Sequence, residues 1–188
     1  MTVENQKIVA DKALKMLYPV SPFAIVAGGA PVDWHLGKEA RDIDIFINAE
    51  QSLSTTKFMD VLKSVGFESV NQIDHEEAEN INYTRNPHIK HVYNCKLDGT
   101  NIQIVRLKCS TFRIVDTFAF NVNKAWYEHG KITLEKSCKY GLDNKVIVKE
   151  GELYASTLRY QSKIQRKFEG FKFFNSSQEF LENQLYKE

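Results

Sequence analysis

Apolar positions at the start of the chain recur at helical spacing. Ile8, Ala10, Ala13, Leu14 and Leu17 fall near one side of a helical wheel with polar residues between them, which predicts an amphipathic helix over 3–17. Pro19 and Pro22 end it. Residues 23–27 are a short apolar run leading into Gly28 and Gly29, the pattern of a buried strand that stops at a tight turn. A brief helix is expected next, with Pro31 in its first turn and Gly37 free to adopt the left-handed conformation at its end. Residues 41–47 alternate polar and apolar and then become wholly apolar, as in a strand entering a core.

Downstream, Ser54 is placed to cap a helix running to about Gly66, with Phe58, Val61, Leu62 and Val65 at helical spacing. Residues 68–88 are polar and carry no clear period. Residues 91–97 and 101–108 read as two strands joined at Asp98-Gly99, because that dipeptide accommodates the positive φ values of a hairpin turn. The aromatic segment 112–126 fits either a strand or the start of a helix. A short strand is expected at 132–134, a helix over 152–168, and another over 176–186 opened by Ser176 or Ser177 with Glu179 in capping-box fashion. With no repeat and no linker, the economical organisation is one unit: residues 1–150, and a helical extension, 151–188, packed on them.

Composition narrows the class. The 188 residues suffice for one domain with a real core, and 43% hydrophobic content with 9 Gly and 4 Pro excludes a disordered chain. A net charge of +1 gives no global attraction to nucleic acid or anionic lipid, so any anionic partner must meet a local patch. Cys95, Cys109 and Cys138 are odd in number and far apart, against a disulfide framework or thiolate zinc site and in keeping with reducing cytoplasm. The N-terminus has no apolar leader, and no stretch has the length of a membrane span. A cytoplasmic protein without membrane partners is expected.

Chemistry concentrates between Gly28 and Asp44. Residues two apart on a strand project to one face, so Asp42 and Asp44 present two carboxylates side by side while Ile43 and Ile45 face the core. Two hard oxygen donors suit Mg²⁺, or Mn²⁺, shared with water and substrate phosphates, the arrangement used in phosphoryl and nucleotidyl transfer. Gly28 and Gly29, between a strand and a helix, allow backbone N–H groups to approach a triphosphate.

These residues resemble the head motif of the polymerase-β-type nucleotidyltransferase superfamily, in the branch of the tRNA CCA-adding enzymes and bacterial poly(A) polymerases. Gly28, Gly29, Asp33, Leu36, Gly37, Asp42 and Asp44 fall at the matching spacing, and Val32 replaces the family arginine. The strand around Gln103 resembles the one in which many members carry a third carboxylate. The segment Phe118-Ala119-Phe120-Asn121-Val122-Asn123 resembles the family's Arg-Asp-Phe-Thr-Ile-Asn motif, leaving Asn123, and Asn121 beside it, as nucleotide contacts. Leu142-Asp-Asn-Lys145 and Thr157-Leu-Arg159 are also similar to small nucleotidyltransferase-like proteins of bacteriophages. The resemblance implies an α+β nucleotidyltransferase fold, a short mixed sheet flanked by helices. It implies Mg²⁺-dependent transfer of a nucleoside monophosphate from an NTP such as ATP to a hydroxyl, with Asp42 and Asp44 catalytic and metal-binding. An RNA 3′ end such as that of tRNA is the first acceptor to consider and a protein side chain the second. The family's further tRNA-measuring domains do not fit in this length, so full CCA addition is not expected. A degenerate nucleotide- or RNA-binding module, or a factor in phage–host or toxin conflict, is the alternative, supported by Val32, Gln103 and Ala119.

Other features are plainer. Arg159, Lys163 and Arg166 line one predicted helix face with Lys167 beside it, a candidate clamp for triphosphate or RNA backbone. The five histidines show no zinc spacing, and the aromatics of 112–127 are expected to fill the interior. The acidic run Asp74, Glu76, Glu77 and Glu79 is expected to be solvated.

Overall fold

The computed structural model describes residues 1–48, 53–73, 86–151 and 157–185, with side chains from 160 to 184 in the last segment. The expected acidic run lies outside the described residues. In chain order the elements are α1 (Val3–Leu17), β1 (Ile25–Ala27), α2 (Gly29–His35), β2 (Ile43–Ile47), α3 (Thr55–Ser64), β3 (Glu68–Gln72), β4 (Ile89–Leu97), β5 (Thr100–Leu107) and α4 (Thr111–Asp116). A 3-10 turn (Asn121–Asn123) then leads to β6 (Ala125–Glu128), β7 (Lys131–Leu134), α5 (Lys136–Asn144), β8 (Val146–Val148), α6 (Thr157–Lys167), β9 (Lys172–Phe174) and α7 (Ser177–Leu185).

Seven strands form a mixed sheet in the order β3-β4-β5-β2-β1-β6-β7, and β8 and β9 pair in a separate parallel ribbon. The one parallel pairing in the large sheet is β2 with β5, in the register Ile43 to Ile102, Asp44 to Gln103 and Ile45 to Ile104. The hairpin turn is as expected, with Asp98 and Gly99 both at positive φ, 49° and 74°. Lys12 clamps it to α1 through both Asp98 oxygens, at 2.7 and 2.8 Å.

One sheet face is apolar apart from the fully buried Arg106, which lies over the Phe58 ring and donates to the Leu53 carbonyl. Ile43, Ile45, Ile47, Ile102, Ile104 and Tyr93 pack under Ala10, Ala13 and Leu17 of α1 and Phe58 and Leu62 of α3. The buried stripe of α1 differs from the predicted one: Ile8 is exposed, whereas Val9 and Gln6 are buried. Gln6 explains the rotation. Its side chain donates to the Ala40 carbonyl at 2.7 Å and accepts from Trp34 Nε1 and the Ala40 amide, both at 2.8 Å, which satisfies a buried amide completely enough to outweigh exposing one isoleucine.

The opposite face is divided. Ile114 and Val115 of α4 cover Ile25, Ala27, Phe46, Val105 and Leu107, leaving the end of the sheet that carries Asp44 and Gln103. The undecided segment 112–126 proves to be helix, turn and strand in succession.

A third cluster joins Val32 of α2, Phe120, Val122 and Ala125 to Cys138 of α5 and to Ile164 and Phe168 of α6. Asn121 organises this region. It donates through Nδ2 to the carbonyls of Ser137 and Val146 and accepts at Oδ1 from the Val148 amide at 2.8 Å. Its side chain is thus committed to holding α5 against β8 and is not the nucleotide contact expected from the motif. The sequence reading also left out α5, β8 and β9, whose apolar runs are too short to show a period.

Gly141 lies under that clamp: a Cβ there would meet Asn121 Nδ2 and come within 2.7 Å of the Val146 carbonyl. Gly141→Ala is expected to cost about 1–3 kcal/mol by overpacking, measured as a shift in urea midpoint; a change below about 0.5 kcal/mol would show that the clamp yields freely. Burial pushes Cys95 and Cys138 up to about 12 and also raises Cys109, Tyr93, Tyr127 and Tyr160. The unfolded chain releases these protons first, so from about pH 9 upward the folded state binds more protons and stability falls as pH rises. Lys163, shifted downward, opposes this as a single group. Urea midpoints at pH 8 and pH 10 should show the decline.

Candidate active site

Gly28 has φ +86° and ψ −123°, a conformation closed to ordinary L residues. Its amide donates to the Ala125 carbonyl at 2.9 Å, so it serves the chain reversal between β1 and α2 and is not offered to a ligand in this structure. Asp33 and Gly29 both engage α6. Lys167 Nζ lies 2.8 Å from Asp33 Oδ2 and 3.4 Å from the Gly29 carbonyl, a largely buried pair that fixes α6 across α2.

Asp42 and Asp44 stand on the divided face at the entrance of β2, both half-buried. Arg41 covers Asp42, with Nη2 at 2.7 Å and Nε at 3.0 Å from Oδ2. That guanidinium is exposed, its side chain 75% accessible, and a pair of this kind is worth about 0–1 kcal/mol, so it can be displaced from Asp42 at little cost. The hydrogen bond to Asp42 raises the Arg41 pKa, and Asp44 adds to the effect.

From the other side α6 brings Tyr160 and Lys163. Burial and the nearby Arg41 lower the Lys163 pKa, while Asp42 and Asp44 pull it back up; the ammonium therefore senses both carboxylates. Burial raises the Tyr160 hydroxyl, Asn123 lowers it by hydrogen bonding, and Asp44 raises it again. Asn123 Nδ2 donates to the Tyr160 oxygen. Asn123 is 4% exposed and its Oδ1 has no hydrogen-bond partner among the described residues, so it retains an acceptor beside Tyr160.

The structure thus gathers Asp42, Asp44, Asn123 and Lys163, and ties Gly29 and Asp33 to the same corner through Lys167. The predicted basic face is corrected. Tyr160 and Lys167 are partly buried with Ile164 and Phe168, whereas Lys163 and Arg166 are exposed, and Arg166 folds its Nε back onto the Ser162 carbonyl at 3.2 Å. The Arg159 side chain lies outside the described residues. Tyr160 and Arg41 are contacts that sequence reasoning missed. The i, i+3, i+7 spacing of 160, 163 and 167 was the available signal for Tyr160.

The departures from the resembled motif have packing causes. Val32 is fully buried among Phe120, Val122 and Ala125, leaving no room for a solvated arginine. Phe118 packs on the Phe46 ring at 5.8 Å and lies against Gly28. The Ala119 carbonyl accepts from the amides of Glu150 and Gly151, and a Cβ at Gly151 would come within 3.1 Å of Ala119 Cα. At the position matching a third carboxylate, Gln103 sits beside Asp44 in register and donates through Nε2 to Asn94 Oδ1 at 3.0 Å. Among the described residues no group of three or more His, Cys, Asp or Glu could hold a metal ion. The donor set is two carboxylates, which fits Mg²⁺ completed by water and phosphate oxygens and not a metal caged by protein alone.

Fold and site together define a chain with the nucleotidyltransferase fold. The solved structures similar to it include tRNA-processing enzymes. The Thermotoga maritima CCA-adding enzyme complexed with tRNA aligns at TM-score 0.60 and 16% identity, over 97% of this chain and 42% of that one. A tRNA-processing enzyme in an apo form aligns at TM-score 0.59 and 17% identity, over 97% and 47%. A tRNA nucleotidyltransferase complexed with a primer tRNA and an incoming ATP analogue aligns at 0.51 and 16%, over 87% and 46%. The chain spans less than half the length of each. Neither a protein-family model nor a curated protein matches the sequence. No helix among the described residues is long and apolar enough to cross a membrane.

Val32→Arg, which restores the resembled motif, is expected to destabilise the fold by at least about 3 kcal/mol, because it places a charge in an apolar cluster. Thermal unfolding of the variant measures this; a variant as stable as the wild type would show that the position can open toward the site.

Proposed function

We propose that the protein is a nucleotidyltransferase acting at the Asp42–Asp44 pair, transferring a nucleoside monophosphate from an NTP to a hydroxyl. The observation that carries this reading is the pair of carboxylates at the entrance of β2, with Arg41 on Asp42 at 2.7 Å, and the Lys163 ammonium of α6, on which both carboxylates act. A carboxylate pair alone repels a triphosphate. Paired with Arg41 and Lys163, the corner has cations for phosphate oxygens and anions for a divalent ion.

Asp42 and Asp44 would hold Mg²⁺ or Mn²⁺, which supplies Lewis-acid stabilisation of phosphate charge and lowers the pKa of a nearby hydroxyl. Arg41 leaves Asp42 and engages phosphate. Lys163 neutralises charge gathering on the leaving pyrophosphate. Asn123 and Tyr160 hold the nucleotide in place through the open Asn123 acceptor, and Gly28 and Gly29 keep the turn clear of side chains. In the reaction the acceptor oxygen bonds to the α-phosphorus, the bond to the pyrophosphate oxygen breaks, and the acceptor proton passes to solvent. An RNA 3′ end, a protein side chain and a small molecule are the acceptor classes. The cytoplasm is the proposed location and a bacteriophage the proposed kind of source.

Labelled NTPs incubated with Mg²⁺ and total RNA, cell protein or small metabolites test the reading. Asp42→Asn and Asp44→Asn are each expected to lower incorporation by about 10²–10³-fold or more while leaving the fold intact by circular dichroism. Incorporation that survives both substitutions, or NTP binding without any incorporation, would favour the degenerate binding module.

A further inference from the structure

The uncovered part of the divided sheet face is a row of amides. Parallel register sets Gln103 beside Asp44, and antiparallel register sets Asn94 opposite Gln103 and Asn71 opposite Asn94. Strand spacing of ~4.8 Å makes this row roughly 14 Å long, from the carboxylate to the edge strand. One step along the strands, Asn101 stands opposite Lys96, and Lys96 opposite Glu68. Asn71, Asn94, Lys96, Asn101 and Glu68 are exposed, and no described helix covers them.

This strip differs in chemistry from the α6 side. Lys163 acts on the carboxylates from α6, whose Ile164 and Phe168 cluster with Ala125 on the side of β1 and β6. The strip lies on the other side of β2, and its single lysine faces a glutamate. The Gln103–Asn94 bond leaves Gln103 Oε1 as an acceptor and the Asn94 amide as a donor, with no other partner among the described residues. Phosphate oxygens only accept and call for cations, whereas a hydroxyl both donates and accepts. A nucleic-acid strand laid along such a length would bring phosphates to a surface with no net positive charge, and the row holds no aromatic ring for base stacking.

We propose that the Asn71–Asn94–Gln103 strip is the acceptor subsite, and that it takes an uncharged polyhydroxyl acceptor, a sugar or short glycan, presenting one hydroxyl to the Asp42–Asp44 corner. This rests on the nucleotidyltransferase reading for its role, though the strip can be tested by binding alone.

The experiment is an NMR titration of the ¹⁵N-labelled full chain, following the side-chain amides of Asn71, Asn94 and Gln103 and the backbone amides of Arg41 and Lys163. The probes are Mg²⁺ with a non-hydrolysable ATP analogue; maltotriose, sucrose and myo-inositol; and a hexanucleotide RNA. At least one of the sugars should shift the strip amides saturably, equally at 50 and 300 mM salt, and Asn94→Ala and Gln103→Ala should each weaken that binding about tenfold or more. The RNA should leave the strip unmoved. If no sugar shifts the strip, or the RNA shifts it and salt abolishes the effect, the proposal is overturned. The nucleotide arm separates the two readings: an analogue that leaves Arg41 and Lys163 unmoved counts against nucleotidyl transfer, whereas the sugar arm decides the strip.

Discussion

Two carboxylates at the mouth of a central strand are tolerable only if something holds that strand rigidly and something else supplies opposite charge. The β2–β5 pairing does the first. It sets Ile43 against Ile102 and Ile45 against Ile104, and these side chains are almost wholly removed from water beneath α1 and α3. Because the side-chain period of a strand is two, a slip of one residue would turn the isoleucines away from α1 and α3 and bring Asp44 beneath them. The hydrophobic face therefore fixes the direction of the carboxylates, and the same register sets Gln103 beside Asp44 and Phe46 under α4.

Charge comes from Arg41, which pairs with Asp42, and from α6, far along the chain. Its position depends on apolar contacts of Ile164 and Phe168 with Val32 and Phe120 and on the Lys167–Asp33 pair. The Asn121 clamp supports this arrangement by holding α5 and β8, which bring Cys138 and Ile147 to the same cluster. Asp33 thus acts through Lys167, by holding the helix that carries Lys163.

Features governed by local chemistry were legible in the sequence. The Gly28-Gly29 turn, the Asp98-Gly99 hairpin, the Ser54 cap and the paired acids each follow from a conformational or periodic rule acting over a few residues, and each is found in the structure. Features that depend on distant partners were not. Gln6 is buried because Trp34 and Ala40 satisfy it, and a helical wheel contains neither. The inward stripe of α6 is set by what lies beneath it, so counting charges selected Arg166 where packing selects Tyr160 and Lys167. Asn121 and Asn123 look alike in sequence; one is consumed by three backbone bonds, and the other keeps an open oxygen.

The departures from the resembled motif divide by location. Val32, Phe118 and Ala119 lie where α2 and the segment after α4 meet the core, and each exchanges a polar role for packing or close backbone approach. Such exchanges stabilise the fold while removing groups that could touch a nucleotide. Gln103 is different, because it remains at the surface and bonds to another amide. An uncharged amide there adds no negative charge beside Asp44, so fewer cations are needed to balance the corner. The result is a site with charge on the α6 side of β2 and neutral hydrogen-bonding groups on the β5 side. In the proposed transfer between a polyanionic donor and an uncharged acceptor, that separation favours each substrate on its own surface, because the chemistry that binds one substrate does not suit the other.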